Sequence, residues 1–416
     1  MLFRSRLEAR HKSAKKAARA KRRVAPSRTD IIREAWENKE TQWFSTKADV
    51  LQELARKGNE LAPLILEYRE YETLYGTFVK GLSDRLDSES IVHGTYLPHG
   101  TVTGRLASRN PNLQNIPNKG GGLIKKAYVS RFAGGIILQA DYSQIELRIA
   151  ASLFSEPTMV QAYLNGEDLH QLTAIDIAFP KVREQSERAE RYANLPKLEQ
   201  KGWRTRAKRV NFGVLYGGGP PAIQNTLKKD GVFISLEQCD AMVQDYFKMR
   251  PALRKGIDAL EAQVKADGYL EMFTGRRRRV PEVRSDDRQT VSRALRQSIN
   301  FPVQSSASDI TLMSIVLIDQ ILRAGEFRSV MILTVHDSII FDCPQDEFQR
   351  VARLVKEAME SVPKLSDRVI PNLEWSWLKV PLVVDLECGF SWGSLVDYGS
   401  DENFESLCDK MRGADA

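Results

Sequence analysis

Two aspartates lie in sequence contexts that suit metal-dependent phosphoryl transfer. Asp141 follows the apolar run 136–138 and precedes a stretch rich in helix formers, so we expect it where a strand gives way to a helix. Asp337 lies between two β-prone runs, 329–334 and 338–342, which predict a hairpin with Asp337 at or beside its tip. Two such carboxylates could hold a pair of Mg²⁺ ions ~3.5–4 Å apart, which activate an attacking oxygen and stabilise a leaving one. Taken alone, Asp141 would more often be a helix cap that contributes ~1 kcal/mol.

A third element carries cations and aromatic rings at helical spacing. Four side chains recur every four residues, and each such step on a helix drifts by ~40°, so all four share a face ~120° wide. They are Arg204, Lys208, Phe212 and Tyr216. The cations could bind a triphosphate and the aromatic rings could stack on a base, so this face could bind a nucleotide. The alternative interpretation is a solvated basic helix with buried aromatic residues.

The elements that must position these residues predict an α+β fold. Short apolar strands carry both aspartates, a closing strand is expected at 381–386, and the intervening segments have helical spacing. Pro302 is expected to divide the stretch after the arginine-rich turn 276–279 into two helices, 290–299 and 305–323. The four arginines of that turn could clamp a phosphate backbone or simply be solvated.

Five blocks, in this order, resemble motifs of the family A DNA polymerases, the DNA polymerase I family. The first is Thr-Gly-Arg-Leu at 103–106 with Asn-Pro-Asn-Leu-Gln-Asn-Ile-Pro at 110–117, and the second is Asp-Tyr-Ser-Gln-Ile-Glu-Leu-Arg at 141–148. The others are the Arg-x3-Lys-x3-Phe-x3-Tyr-Gly helix at 204–217, Asn-x-Pro-x-Gln at 300–304 and Val-His-Asp at 335–337. Each block alone is weak evidence, but five in order, covering roughly residues 43–395, are not expected by chance.

The resemblance implies a right-hand polymerase fold, with an antiparallel palm sheet and helical fingers. It also implies template-directed addition of deoxynucleotides to a primer 3′ hydroxyl, with dNTPs and primer–template DNA as partners and two Mg²⁺ ions as cofactors. Asp141 and Asp337 would hold both ions, with the backbone carbonyl of Tyr142 as a further ligand. Lys208 would also act as the general acid to the departing pyrophosphate.

The remaining roles implied by the resemblance lie around the nucleotide and the duplex. The expected triphosphate contacts are Arg204, Lys208 and His170. Phe212 would pack on the new base and sugar, Tyr216 would stack at the templating position, and Gln144 and Glu146 would border the sugar. The residues expected to position the duplex, by contacts that need not read sequence, are Arg105, Arg296, Asn300, Gln304 and His336.

The resemblance also predicts how the chain is divided. We expect a basic arm at 1–28, a partial thumb and connecting helix at 29–90, palm at 91–155, fingers at 156–285, palm again at 286–395 and a loose tail at 396–416. The charged segment 181–201 is longer than the resemblance predicts and is expected to be a surface insertion in the fingers.

Charge is concentrated at the N-terminus. Residues 1–30 contain eleven Lys or Arg against two acidic residues, a balance of +9, whereas the whole chain of 416 residues carries +7. We expect residues 1–28 to be a disordered arm or a helix formed on nucleic acid, rather than a transit peptide, because the basic run has no clear apolar face. This favours the cytoplasm of a bacterial or phage-infected cell over an organelle.

Few residues precede the expected palm, which predicts that this chain contains neither the first half of the thumb nor a proofreading exonuclease. Either a separate chain supplies the rest of the thumb and a 3′–5′ exonuclease, which we slightly favour, or the basic arm substitutes electrostatically. The four cysteines are scattered without metal-ligand spacing and are expected to be reduced thiols. No apolar run approaches the ~18 residues of a membrane span, so none is expected.

One position departs from the family pattern. A glutamate often follows His-Asp in the family, but here the residue is Ser338, so a third acidic side chain is missing and its usual role is open. Two other functions stay open. A single-subunit RNA polymerase shares the fold and both aspartates, although Glu146 and its block argue against it. A non-catalytic DNA-binding subunit would be expected to lose a metal carboxylate or the cationic helix, and both are present.

Overall fold

The structure, a computed structural model, describes residues 46–117, 122–399 and 403–415. The predicted basic arm at 1–28 lies outside the described residues. Contacts divide the chain into two units. The first contains the described parts of Met1–Tyr96, Ser108–Val129 and Ser391–Ser394, and the second those of Leu97–Ala107, Ser130–Phe390 and Leu395–Ala416.

Two helices dominate the first unit. They are α1 (Ala48–Arg56) and α2 (Leu61–Thr73), and α2 continues into a π-helical stretch, Leu74–Lys80, that ends in a short turn, Gly81–Ser83. The connecting helix predicted within residues 29–90 is therefore confirmed. Two short strands follow, β1 (Thr95–Leu97) and β2 (Ala107–Arg109), which pair as a two-stranded sheet.

The second unit contains the predicted strand, helices and hairpin. Its first elements are β3 (Ile136–Tyr142), α3 (Ile145–Leu153), α4 (Pro157–Leu164), α5 (Leu169–Ala178), α6 (Gln185–Ala193), α7 (Lys197–Leu215), α8 (Pro220–Lys229), α9 (Leu236–Lys248) and α10 (Pro251–Asp267). The chain goes on through β4 (Tyr269–Glu271), β5 (Arg277–Arg279), α11 (Arg288–Ala324), β6 (Val330–Val335), β7 (Ser338–Cys343), α12 (Phe348–Glu360), β8 (Val384–Gly389), β9 (Val396–Asp397) and α13 (Phe404–Asp415). The predicted α+β class is confirmed.

A five-stranded antiparallel sheet organises this unit, in the order β6-β7-β3-β8-β9. Successive side chains of a strand point to opposite faces, so β3 buries Leu138, Ala140 and Tyr142 on one side and presents Gln139 and Asp141 on the other. Tyr142 fixes the buried face, because its hydroxyl lies 2.7 Å from Ser314 Oγ of α11 and donates to the Met359 carbonyl of α12 at 2.7 Å.

The prediction that Pro302 separates two helices is wrong. One continuous helix, α11, runs through the proline. A proline inside a helix costs ~3 kcal/mol or more, because it lacks the N–H and its ring clashes with the preceding turn. On either side of it Ile299, Phe301 and Val303 are 5%, 0% and 0% exposed, and burying each apolar side chain contributes ~1.5–3 kcal/mol. Core packing on both sides therefore outweighs the local cost.

The C-terminal segment is not a loose tail, so that prediction is wrong for the described residues. Val396 and Asp397 form β9 against β8, and residues 404–415 form α13. Leu407 and Met411, four residues apart on one face of α13, are both 0% exposed in the main core. Their burial holds this helix against the sheet that contains β8.

Charged side chains of the segment 181–201 and of the arginine-rich turn 276–279 form ion pairs within the protein. Within 181–201, Arg188 of α6 pairs with Asp176 of α5 at 3.3 Å, and Tyr192 is buried against α5. In the arginine-rich turn, Arg276 pairs with Asp309 at 2.6 Å and Arg277 with Glu271 at 2.5 Å, so these two cations already have protein partners.

Among the described residues, one helix, α11, is long and apolar enough by length and composition to cross a membrane. Within its most apolar window, 78% is buried inside the protein, as expected of a core helix.

Candidate active site

Asp141 and Asp337 lie on neighbouring strands. Asp141 of β3 is directly opposite Ser338 of β7 and Asp385 of β8. Asp337 lies in the two-residue turn between β6 and β7, immediately before Ser338, so the predicted hairpin is confirmed. Ser338 Oγ donates to Asp141 Oδ1 at 2.6 Å. Asp141 caps no helix, because the N-cap of α3 is Gln144.

Burial raises the pKa of both carboxyl groups. For Asp141 the hydrogen bond from Ser338 opposes this effect, while Asp385 and Glu387 add to it. For Asp337 the Arg105 cation opposes it, while Asp141 adds to it. Asp141 thus lies close enough to Asp337 to disfavour the charge of Asp337.

The same pair fits the Mg²⁺ ions that the resemblance implies. A divalent cation would relieve the repulsion, and carboxylate oxygens are the donors that Mg²⁺ prefers. Among residues 46–117, 122–399 and 403–415 there is no group of three His, Cys, Asp or Glu suited to a metal ion. The aspartates would therefore share the coordination shell with substrate oxygens and water, which is the usual habit of Mg²⁺.

Backbone strain lies beside both carboxylates. Gln144, at the start of α3, has a φ of +52°, and His336, next to Asp337, has a φ of +55°. Left-handed backbone at a side chain of this size costs on the order of 1–3 kcal/mol and persists only where the surrounding structure enforces it. Gln144 is held by Tyr163, whose hydroxyl donates to its Oε1 at 3.1 Å, whereas the His336 side chain is exposed.

Glu146 is the centre of a buried network between the sheet and α7. Its side chain is 4% exposed, and burial raises its pKa, while bonds from Tyr216 and Arg105 lower it. Tyr216 Oη donates to Oε2 at 2.7 Å, and Arg105 Nη2 donates to Oε1 at 2.6 Å. Arg105 Nη2 also reaches Asp337 Oδ1 at 3.5 Å, so a single cation bridges Glu146 and Asp337.

Close packing holds the loop that carries Arg105. Gly104 has a φ of +79°, and a side chain there would lie 2.5 Å from the Arg276 guanidinium. Arg276 is in turn fixed by Asp309 of α11, to which both its Nε and Nη2 donate. Arg276, one of the four arginines predicted to clamp a phosphate backbone or to be solvated, thus supports the loop of Arg105.

The predicted face of α7 is present. Lys208 and Arg204 are exposed, and Phe212 stacks on Tyr216 with ring centroids 6.0 Å apart and an interplanar angle of 23°. Arg204 donates two bonds to Asp168 Oδ2, at 2.8 and 3.2 Å, whereas Lys208 forms no ion pair within the described chain. The helix ends at Tyr216, which is its C-cap.

His170 lies beside this face at the start of α5. Asp168 caps that helix by accepting from the His170 N–H at 2.9 Å. The imidazole is 5% exposed, its centroid is 5.6 Å from that of Phe212, and its Nδ1 lies 3.0 Å from Asn211 Nδ2. Burial, together with Lys208 and Arg204, lowers its pKa to about 4, against the opposing effect of Asp168.

The residues predicted to contact the duplex from α11 lie on one face. Arg296, Asn300 and Gln304 are four residues apart on a continuous helix, which puts them within ~80° of one another. The Asn300 Oδ1 is buried without a hydrogen-bond partner in the described chain. Gly217, with a φ of +66°, lets the end of α7 approach this helix, because a side chain there would lie 2.6 Å from the Arg296 carbonyl.

Sequence reasoning missed three residues of this site. Asp168 and Asn211 bond to predicted site residues, and Asp385 faces Asp141 across the sheet. The signal for Asn211 was available, because it is three residues after Lys208 and so falls on the same face of α7. Asp385 could not be found in this way, because its relation to Asp141 depends on the pairing of β3 with β8.

Comparison with known proteins gives a family match, related sequences and a related structure. Residues 29–394 match DNA polymerase family A. The DNA polymerase of Bacillus phage SP01 is 36% identical over 359 residues, 84% of this chain and 37% of that protein. DNA polymerase I of Streptococcus pneumoniae R6 is 34% identical over 354 residues, 84% of this chain and 36% of that protein. The chain thus spans little more than a third of the length of these relatives.

The related structure is the POL domain of Pol1 from M. smegmatis, in complex with DNA primer-template and dNTP. It matches with a TM-score of 0.75 at 28% identity, over 95% of this chain and 66% of that chain.

Proposed function

The chain belongs to DNA polymerase family A and has an α+β polymerase fold, and on that premise we propose that it adds deoxynucleotides to a primer 3′ end under the direction of a template. The observation that carries the proposal is the pair of partly buried aspartates, Asp141 and Asp337, of which Asp337 is linked through Arg105 and Glu146 to Tyr216 at the end of α7. Similarity to a domain solved with DNA primer-template and dNTP supports both partners. Similarity to bacterial and phage proteins supports a cytoplasmic site of action.

Asp141 and Asp337 are proposed to hold two Mg²⁺ ions, with the Tyr142 carbonyl as a further ligand. When bound, such ions supply a lowered pKa at the primer hydroxyl and neutralisation of phosphate charge. Ser338 orients Asp141 by donating to one of its oxygens, and Arg105 steadies Asp337 from the side of Glu146. The aspartates thus need no further protein carboxylate on β7 to keep a defined orientation.

The triphosphate is proposed to bind along α7 and the start of α5. Lys208 is exposed and lacks an ionic partner within the described residues, so it is poised to meet an anion. It is also our candidate for the proton donor to pyrophosphate, because a protonated amine can donate as charge develops on the leaving oxygen. Arg204 would exchange its bond with Asp168 for phosphate oxygens, and His170 would contact the same group.

The base and sugar are proposed to lie between the aromatic residues and Glu146. Phe212 would pack on the new base and sugar, and Tyr216 would stack at the templating position. Glu146 would exclude a 2′ hydroxyl, because Tyr216 and Arg105 prevent its side chain from turning away. Gln144 borders the same space from the start of α3.

The duplex is proposed to be held by backbone and minor-groove contacts. Asn300 supports this role most directly, because its buried Oδ1 has no hydrogen-bond partner among the described residues, and Arg296 and Gln304 share its face. His336, exposed at the hairpin turn, and Arg105 would contact the primer end. The boundaries of thumb, palm and fingers that the sequence predicts remain part of this proposal.

Primer extension by the purified chain tests the proposal. A labelled primer on a defined template should be extended with Mg²⁺ and dNTPs but not with NTPs, and Asp337→Asn serves as the matched inactive control. Extension with NTPs instead would indicate an RNA polymerase. Binding of duplex DNA without any extension would indicate a DNA-binding subunit.

A further inference from the structure

A chain of buried hydrogen bonds runs inward from His170 between α5 and α7. His170 Nδ1 lies 3.0 Å from Asn211 Nδ2, and Thr173 Oγ1 donates to Asn211 Oδ1 at 3.2 Å. Arg250 Nη2 then donates to Thr173 Oγ1 at 3.0 Å and to Asp176 Oδ2 at 3.2 Å. Asn211, Thr173 and Arg250 are all 0% exposed, so water does not compete for these groups.

The hydrogen bonds between Arg250, Thr173, Asn211 and His170 are all donated in the direction of His170. A guanidinium can only donate, so Thr173 Oγ1 must accept from Arg250 and has its own hydrogen left to give. Asn211 Oδ1 is the acceptor within reach, which turns the Asn211 NH₂ group toward His170. Since that NH₂ group can only donate, His170 Nδ1 must accept. The ring proton is then on Nε2.

We infer that Asn211, held by Thr173 and Arg250, is a positioning residue that fixes His170 as a neutral imidazole with its proton on Nε2, directed to the triphosphate. The inference rests on the proposed function for its ligand, but not for the tautomer itself. A neutral N–H group can donate to a phosphate oxygen without placing a buried positive charge beside the exposed cations Lys208 and Arg204. It also does not change with pH across the physiological range.

The charges around His170 agree with a neutral ring. Asp168 faces it from the N-cap of α5, and Lys208 and Arg204 face it from α7. Burial is the largest effect and, together with Lys208 and Arg204, outweighs Asp168, whose carboxylate is itself paired with Arg204, so the pKa of His170 falls to about 4. Protonation of Nδ1 is therefore disfavoured by burial as well as by the Asn211 donor.

Asp176 is the inner end of the chain. It accepts from the buried Arg250 and pairs with Arg188 of α6 at 3.3 Å. Arg250 is also stacked over the Tyr246 ring, with its guanidinium carbon 4.4 Å from the centroid. Because α6 belongs to the charged segment 181–201, that segment supports the orientation of Arg250 and, through it, of His170.

The first test observes the tautomer directly. Nitrogen-15 NMR of the five histidines in the full chain, with His170 assigned by His170→Gln, reports which ring nitrogen carries the proton. We expect a protonated Nε2 and an unprotonated Nδ1, unchanged from about pH 5 to about pH 8. A protonated Nδ1 anywhere in that range would overturn the inference. This readout needs no polymerase activity, so it stands even if primer extension fails.

The second test reverses the donor. Asn211→Asp places a carboxylate at Nδ1, which favours a proton there and raises the pKa of His170. Above that pKa the neutral ring keeps its proton on Nδ1, so Nε2 presents a lone pair to the triphosphate. The ratio of dNTP KM between variant and wild type should rise with pH, by ~10- to 150-fold for the loss of one charge-assisted hydrogen bond. Using the ratio at each pH cancels ionisation of the nucleotide itself.

Two controls separate positioning from a structural effect. Asn211→Leu removes the donor without adding charge, so its KM ratio should not slope with pH. In a His170→Ala background Asn211→Asp should change KM little, because the effect travels through the imidazole. A flat pH ratio for Asn211→Asp, or an undiminished effect without His170, would overturn the inference.

Discussion

Replacement of Glu146 by alanine should admit ribonucleotides, and the structure indicates by how much. The Glu146 carboxylate is tethered on both oxygens, by Tyr216 at 2.7 Å and Arg105 at 2.6 Å. A 2′ hydroxyl placed at the sugar edge would have to push the carboxylate away from at least one of these donors. With the side chain 4% exposed, water cannot replace the broken bond.

A hydrogen bond to a charged group contributes ~1.5–3 kcal/mol, so breaking one of them corresponds to ~10- to 150-fold in kcat/KM. Glu146→Ala removes this barrier, and discrimination between dNTP and NTP should fall by that factor. Glu146→Gln, which keeps the volume, should retain most of the discrimination. Tyr216→Phe removes one tether and leaves Arg105, so its loss should be smaller than that of Glu146→Ala.

Single-nucleotide insertion with dCTP and CTP on one template measures all four proteins under the same conditions. Unchanged discrimination in Glu146→Ala would refute the assignment of Glu146 to the sugar edge. Equal losses of discrimination in Tyr216→Phe and Glu146→Ala would leave Glu146 at the sugar but refute the argument from tethering. The bond from Arg105 that remains in Tyr216→Phe would then contribute nothing to discrimination.

Three other outcomes follow from the same site. Asp141→Asn and Asp337→Asn should each abolish nucleotide addition while duplex affinity, measured by fluorescence anisotropy, stays nearly intact, because phosphate contacts supply that affinity; robust extension by either variant would contradict the metal assignment. Phe212→Tyr should sharply increase incorporation of dideoxynucleotides in a termination assay, as the family resemblance implies for a hydroxyl at this position, and equal termination by both proteins would count against Phe212 at the sugar. Since burial raises the pKa of Asp337, the native state binds extra protons above about pH 4, and stability should fall as pH rises through the raised pKa. Asp337→Asn should therefore have a higher Tm than wild type at neutral pH without metal but not in acid, and a lower Tm at neutral pH would show that the Arg105 pair outweighs burial.

Local patterns were enough to predict the elements that carry the proposed chemistry. The apolar, β-prone runs on either side of His336 and Asp337 predicted the hairpin, and four-residue spacing predicted the α7 face from Arg204 to Tyr216. These features depend on residues close in sequence, so their geometry is set by the strand and helix repeats themselves. The contacts of Glu146 with Arg105 and Tyr216 were out of reach, because they join three separate segments.

Predictions failed where long-range burial opposes a local rule. Pro302 is a helix breaker in isolation, yet α11 continues because the sheet and neighbouring helices bury residues on both sides of it. The tail 396–416 was expected to be loose because it extends past the usual end of the family, yet Leu407 and Met411 anchor residues 404–415 as α13. In both cases the deciding energy comes from partners that are distant along the chain.

Ser338 illustrates how the sheet register, rather than a linear motif, sets the surroundings of Asp141. A glutamate at this position would place a carboxylate on β7 opposite Asp141, whereas the serine hydroxyl donates to Asp141 at 2.6 Å. On the other side, Asp385 of β8 lies directly opposite the same residue. Cross-strand pairs have Cβ atoms ~4.5–5.5 Å apart, so β8 supplies negative charge to this face at the distance that β7 would have offered. The acidic character around Asp141 is thus retained by a residue outside the motif, while the motif position itself provides a hydrogen-bond donor that orients the carboxylate.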